Sequence, residues 1–173
     1  MRQKFNNILI TIFMMSTLGY ASNTDGITNI YEFVGVQAGI TDYDGVTAPT
    51  LGIKYGQQNT LWRTAISYNF AHYAHDDFHT ILAQVDRGIL TDLFEQYPFK
   101  PYLGFSLGIM QNDNSHHKEN HDIGYLYGFN AGVNYVMNHE LDLDVGYRYL
   151  RSSDLEYMNL SNGLAVSLHY YFE

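Results

Sequence analysis

The chain has 173 residues, no cysteine and a formal net charge of −9. Those values exclude a disulfide-stapled scaffold, and the nine Lys and Arg are scattered rather than clustered, which argues against nucleic acid as a partner. Sixteen Tyr and ten Phe against three Pro favour extended, pleated structure.

At the N-terminus Arg2 and Lys4 precede an apolar run from Ile8 to Leu18, followed by Gly19-Tyr20-Ala21. A basic start, a short apolar core and small residues three before and one before a break predict a secretory signal peptide cleaved after Ala21. The apolar run is too short to span a bilayer as a helix. Residues 1–21 are therefore set apart from the fold, 22–30 form a short N-terminal segment, and 31–173 form one domain. Losing Arg2 and Lys4 leaves the mature chain more acidic still. No later stretch approaches eighteen consecutive apolar residues, so crossing a membrane would require a closed barrel, which leaves no unpaired backbone in lipid.

From Tyr31 to Thr41, Val34, Val36, Ala38 and Ile40 alternate with Gly35, Gln37 and Gly39 at period two, which predicts a first strand. Asp42 to Val46 carries an Asp-Gly turn signal, and a second strand runs from Ala48 to Gly56. A short turn at Gln57 to Thr60 leads to a third strand, Leu61 to Tyr73, with Trp62, Ile66, Tyr68 and Phe70 on one face. After a polar loop from Ala74 to Phe78, His79 to Leu90 places Ile81, Ala83, Val85 and Ile89 outward. Arg87 shares that parity near the strand's end, where its stem can lie along the apolar band while its charge reaches the interface. Thr91 to Pro98 connects to a fifth strand, Phe99 to Ile109, and Asn112 to Asp122 is the longest polar connection. Two long strands follow, Tyr125 to Tyr135 and Leu141 to Tyr149, joined by a turn at Asn138-His139-Glu140. A loop from Arg151 to Leu160 then precedes the last strand, Ser161 to Phe172.

The two faces of these runs differ in kind. One is apolar and banded with tyrosine at its ends, as expected where side chains meet lipid headgroups. The other carries glycine, asparagine and opposite charges, which suits a narrow interior. Runs of about ten residues match a tilted strand crossing a bilayer, whereas soluble strands average about five or six. The expected fold is all-β: an eight-stranded antiparallel up-and-down transmembrane β-barrel. An even strand number puts both ends on one side, the periplasm, and the connections after strands one, three, five and seven outside.

Lys100-Pro-Tyr-Leu-Gly-Phe-Ser-Leu-Gly108, Gly132-Val-Asn-Tyr135, Leu141-Asp-Leu-Asp-Val-Gly-Tyr-Arg-Tyr149 and the aromatic C-terminus resemble the opacity-type, OmpA-like outer-membrane β-barrel family. The chain departs from that pattern in placing Glu173 after Phe172. The resemblance covers nearly all of residues 31–173. It implies a cell outer-membrane address, a setting of lipid and lipopolysaccharide, and assembly by the barrel-assembly machinery. It also implies a structural or adhesin-like surface role, with a host or surface ligand at the loops near Asp42, Ala74, Asn112 and Ser152. A small porin or transporter is the alternative; a lipid A-modifying enzyme is a third. A monomer without cofactor is expected.

The inward parity collects Lys54, Arg63 and Arg148 with Asp86, Asp142 and Asp144. In a narrow barrel such charges are expected to pair and plug the interior, the functional alternative being a gated ion path. Six histidines fall in two groups beside outer loops: His72, His75 and His79 near Asp76 and Asp77, and His116, His117 and His121 near Asp113, Glu119 and Asp122. Imidazole with carboxylate suits zinc, copper or nickel. Acid sensing and plain solvated loops are the other readings. Catalysis finds little support. Ser161-Asn162-Gly163 has a passing similarity to a lipid A deacylase pattern, but the histidine expected two residues earlier is replaced by Asn159. His169 lies about 26 Å along the strand from Ser161.

Overall fold

Side chains that alternate between lipid-compatible and polar or small at every second residue can satisfy both environments only as strands. In the computed structural model, which describes residues 30–74, 76–90, 96–114, 121–153 and 160–172, they do so in eight strands. These are β1 (Tyr31–Tyr43), β2 (Val46–Gln58), β3 (Trp62–Tyr73), β4 (Asp76–Gly88), β5 (Phe99–Asn114), β6 (His121–Val136), β7 (Leu141–Ser153) and β8 (Leu160–Phe172). Each pairs antiparallel with its sequence neighbours. The β1–β8 ladder, from Glu32↔Phe172 to Tyr43↔Ser161, closes the sheet into a barrel. Among the described residues no helix is long and apolar enough to cross a membrane; the crossing is made by strands.

The outward parity is an exposed apolar surface, with Val36, Leu51, Ile53 and Leu107 all more than half exposed and Phe129 68% exposed. On a barrel this is the lipid face. Tyr31, Tyr55, Trp62, Phe99, Tyr135 and Tyr170 ring the end that carries the termini, and Tyr68, Tyr125, Tyr127 and Tyr149 band the far end. At the terminal end the Arg87 guanidinium lies 5.3 Å over the Trp62 ring, an interfacial cation–π pair in the position that the parity of Arg87 implies.

Turn chemistry explains the hairpins. Asp44 and Gly45 both have positive φ (53° and 96°), the geometry that a two-residue hairpin turn demands and that Asp-Gly supplies. Asp42 Oδ1 accepts the Gly45 amide at 3.0 Å. At the terminal end Asn59 Oδ1 accepts the Leu61 and Trp62 amides, and Asn138 Oδ1 accepts those of Glu140 and Leu141, two Asx turns of the same design.

The strands run farther at the far end than period two indicates. β4 begins at Asp76 rather than His79, β7 continues to Ser153, and β5 and β6 extend to Asn114 and from His121, into the expected Asn112–Asp122 connection. The ladder continues there through Asp77↔Asp113 and Asp113↔His121. Beyond the lipid the outward positions carry His72, Asp77 and His79 while the inward Phe78 is apolar and buried, so the apolar-outward alternation that marks a lipid-crossing strand disappears while backbone pairing persists.

Inside, glycine makes room for one large ring. Tyr102, Gly132 and Gly146 are cross-strand neighbours, and a Cβ on either glycine would stand 2.5 Å from the Tyr102 hydroxyl oxygen. Val145, one residue away, is 42% exposed on the lipid face. Val145→Arg is therefore expected to destabilise the barrel by about 2–4 kcal/mol, read by denaturant unfolding in lipid vesicles. Gly146→Val should displace Tyr102 instead, seen as a changed near-ultraviolet dichroism signal. A silent Val145→Arg would reverse the face assignment.

Candidate functional site: the filled interior and the far rim

Every charged residue of the inward set points into the barrel, and the structure pairs them selectively. Arg63 on β3 donates from Nε to Asp86 Oδ2 at 3.0 Å and from Nη2 to Asp144 Oδ2 at 2.9 Å, bridging β4 and β7. The three side chains are almost fully buried. Arg63 also lies 4.5 Å over the Tyr102 ring, whose hydroxyl donates to Asp144 Oδ1 at 3.2 Å. Asp86 further accepts from Gln84 Nε2 at 2.7 Å and from Asn130 Nδ2, and Asn130 Oδ1 accepts from Ser106 at 2.9 Å. A low dielectric strengthens these bonds and makes any unpaired member costly.

Asp142 departs from the expected cation pairing. His169 Nδ1 sits 2.8 Å from its Oδ1, while Asn134 Nδ2, at 2.6 Å, and the Tyr171 hydroxyl donate to Oδ2. Tyr171 also reaches Gln58 Oε1 at 2.9 Å, and His169 packs against Phe33 with ring centroids 4.7 Å apart. Lys54 and Arg148 differ too: among the described residues neither has a carboxylate in ion-pair contact. They border a cavity of about 10 Å³ beside Gln84, Tyr102, Asn130 and Asp144. Arg148 also borders one of about 30 Å³ lined by Gln37, Asn69, Thr80 and Ser161. Such volumes hold a water or two. Toward the far end Tyr43 stacks on Phe78 with centroids 4.2 Å apart, and Ala48, Leu82, Met110, Leu126 and Leu150 complete an apolar cap.

The histidines divide. His72 and His79 lie on the outward parity of β3 and β4 at the far rim. His72 Nδ1 is 2.6 Å from Asp77 Oδ1, and Tyr68 OH is 2.7 Å from His79 Nδ1. His121 opens β6, paired with Asp113. His75, His116 and His117 lie outside the described residues. Ser161 is buried in the far half of the interior and His169 in the terminal half, so the two do not share a site. Tyr102, Gln84, Asn130 and Asn134 were not singled out in the sequence, although inward parity marks each of them.

Comparison with known proteins follows this geometry. The family model described as Opacity family porin protein matches residues 54–172. The chain belongs to the Opacity family. No curated protein matches it in sequence. Among solved structures the Opacity barrel is similar to Neisserial surface protein A, at 21% identity and a TM-score of 0.66, covering 83% of this chain and 97% of that one. OprH of P. aeruginosa gives 22% identity and a TM-score of 0.63, covering 82% and 99%. The N-terminal β-barrel domain of Pseudomonas aeruginosa OprF gives 17% and 0.58, covering 80% and 97%. These likenesses are of fold. Family and fold together make this Opacity barrel a protein of the cell outer membrane.

Removing the central cation tests the network. Arg63→Leu strands Asp86 and Asp144 and is expected to destabilise the barrel by about 3–5 kcal/mol, measured by denaturant unfolding in vesicles. Adding Asp86→Asn and Asp144→Asn should recover most of the loss. Unchanged unfolding of the single variant would remove the network's structural role.

Proposed function

We propose that this Opacity barrel is a monomeric structural or surface-interaction protein that works through its far end, which faces the exterior, and that it is not an enzyme. The observation carrying this reading is the filled interior. Among the described residues, the Arg63 network, the Asp142 cluster and the apolar cap at Tyr43 and Phe78 occupy the barrel's length, and the cavities that border Lys54 and Arg148 have volumes of about 10 and 30 Å³. A plug of this kind leaves the outer rim and its connections as the surface available to a partner. In the same reading residues 1–21 are a signal peptide removed on export, the barrel-assembly machinery inserts the chain, and lipopolysaccharide surrounds its outer half.

A small pore or transporter is the second reading. It is favoured by the porin wording of the family description and by Arg148 bordering both cavities. Planar-bilayer recording of the refolded protein separates the two. No conductance step is expected for the plugged barrel, together with attachment of a surface-displaying host to cells or matrix that falls when residues 115–120 and 154–159 are replaced by short glycine turns. A steady conductance step that Arg148→Ala alters, with attachment unaffected by the replacements, would overturn the surface reading in favour of the pore.

A further inference from the structure

The inward charges match in number but not in place. Asp86 and Asp144 both bond Arg63, and Asp142 is taken by His169, Asn134 and Tyr171. The Arg148 guanidinium is left with no carboxylate in ion-pair contact and no hydrogen bond to a described residue. A guanidinium does not give up its proton in a protein, and a buried charge without a counter-charge is costly.

The larger cavity that Arg148 borders, of about 30 Å³, lies on the membrane side of the apolar cap, where Tyr43, Leu82 and Leu150 belong to both. Its polar border consists of groups that can donate. The hydroxyls of Tyr43, Thr50, Thr80 and Ser161 come from β1, β2, β4 and β8, and among the described residues no carboxylate joins them. Arg148, Gly163 and Thr41 are cross-strand neighbours on β7, β8 and β1. A Cβ on Gly163 would stand 2.8 Å from Thr41 Oγ1, so the missing side chain is part of the space beside the guanidinium. The Thr50 hydroxyl donates to that of Thr41 at 2.9 Å, which leaves the Thr41 proton free to turn into the cavity. The smaller cavity differs: there Asp144 stands on the border with Lys54 and Arg148. Of the two spaces, only the larger combines a cation with hydroxyl donors and no carboxylate.

We propose that this cavity binds one small inorganic anion, a halide such as chloride, as the counter-ion of Arg148. A cation would meet the guanidinium with no carboxylate to offset it. Space for a water or two is enough for one halide ion and too little for phosphate or sulfate with their four oxygens. Water alone would fill the volume but leave the charge uncompensated. The bound ion ties β7 to the hydroxyls of β1, β4 and β8, and it does so whatever partner the outer rim meets.

The test is urea unfolding of the refolded barrel in lipid vesicles at constant ionic strength, with chloride exchanged for gluconate, an anion too large for the cavity. For one bound ion the folding constant should rise about tenfold for each tenfold increase in chloride above the dissociation constant, and bromide should act likewise. Arg148→Met should abolish this dependence, whereas Arg151→Met, which removes an exposed cation from the same strand, should leave it unchanged. Heat-dependent gel migration confirms that each variant folds. Thr80→Val and Ser161→Ala keep the cation and remove one donor each. Each should weaken chloride about threefold or more, and the two carry the test if Arg148→Met does not fold. Crystals grown in bromide should show one anomalous peak in the cavity. A folding constant indifferent to the exchange of chloride for gluconate overturns the site. So does a chloride dependence that persists in Arg148→Met, a chloride affinity unchanged in both donor variants, or a cavity that holds water alone in the bromide crystals.

Discussion

The constraint on which the structure depends is closure. In lipid every strand needs a hydrogen-bonded neighbour on both sides, and the pairing of β1 with β8 meets that need with eight strands. Eight strands enclose an interior just wide enough to be filled by side chains. The inward parity therefore has to combine small residues with polar groups that satisfy one another. Gly132 and Gly146 lie beside Tyr102 for this reason: their missing Cβ atoms are the space that lets one tyrosine reach from β5 toward Arg63 and Asp144.

Filling the barrel with polar groups ties it across as well as around. Neighbouring strands are already joined by backbone ladders, but the Arg63 to Asp144 bond joins β3 to β7 through the lumen. Such transverse bonds resist ovalisation, which a ladder alone does not. They also remove the centre of the barrel from the surfaces that can meet a partner, so chemistry directed outward has to sit on the rim. That is where the imidazoles and carboxylates of β3 to β6 occur.

The spanning strands and their inward sets were legible because lipid and lumen impose opposite demands on alternate residues. Lys54, Arg63, Asp86, Asp142, Asp144 and Arg148 all fall on the inward parity as read. Their partners were not legible. Contact across the lumen depends on the stagger between strands, which no local pattern encodes, so nothing in the sequence distinguishes Arg63, with two aspartates, from Lys54 with none in ion-pair contact among the described residues. His169 faces Asp142 directly across the β7–β8 ladder, but the register that places it and Tyr171 there is set by the pairing of the two strands and not by the pattern within either. The outer extensions at Asp76, Asn112 and His121 were hidden for a different cause: beyond the lipid the outward face turns polar, which erases the apolar-outward alternation.

The seam strand has a consequence for how the barrel forms. β8 brings both the last backbone ladder and the two side chains, His169 and Tyr171, that complete the hydrogen bonding of Asp142. The β1–β8 ladder joins opposite ends of the chain, the most non-local pairing available, and such contacts are slow because the entropy of closing the loop is lost before the contacts form. The bonds of Asp142 come with the β7–β8 pairing, in which it faces His169, so closure of the seam adds the β1–β8 ladder and not those bonds. A sheet that has not closed leaves the edges of β1 and β8 without backbone partners, which is costly in lipid, so partly rolled states lie above the finished barrel in free energy.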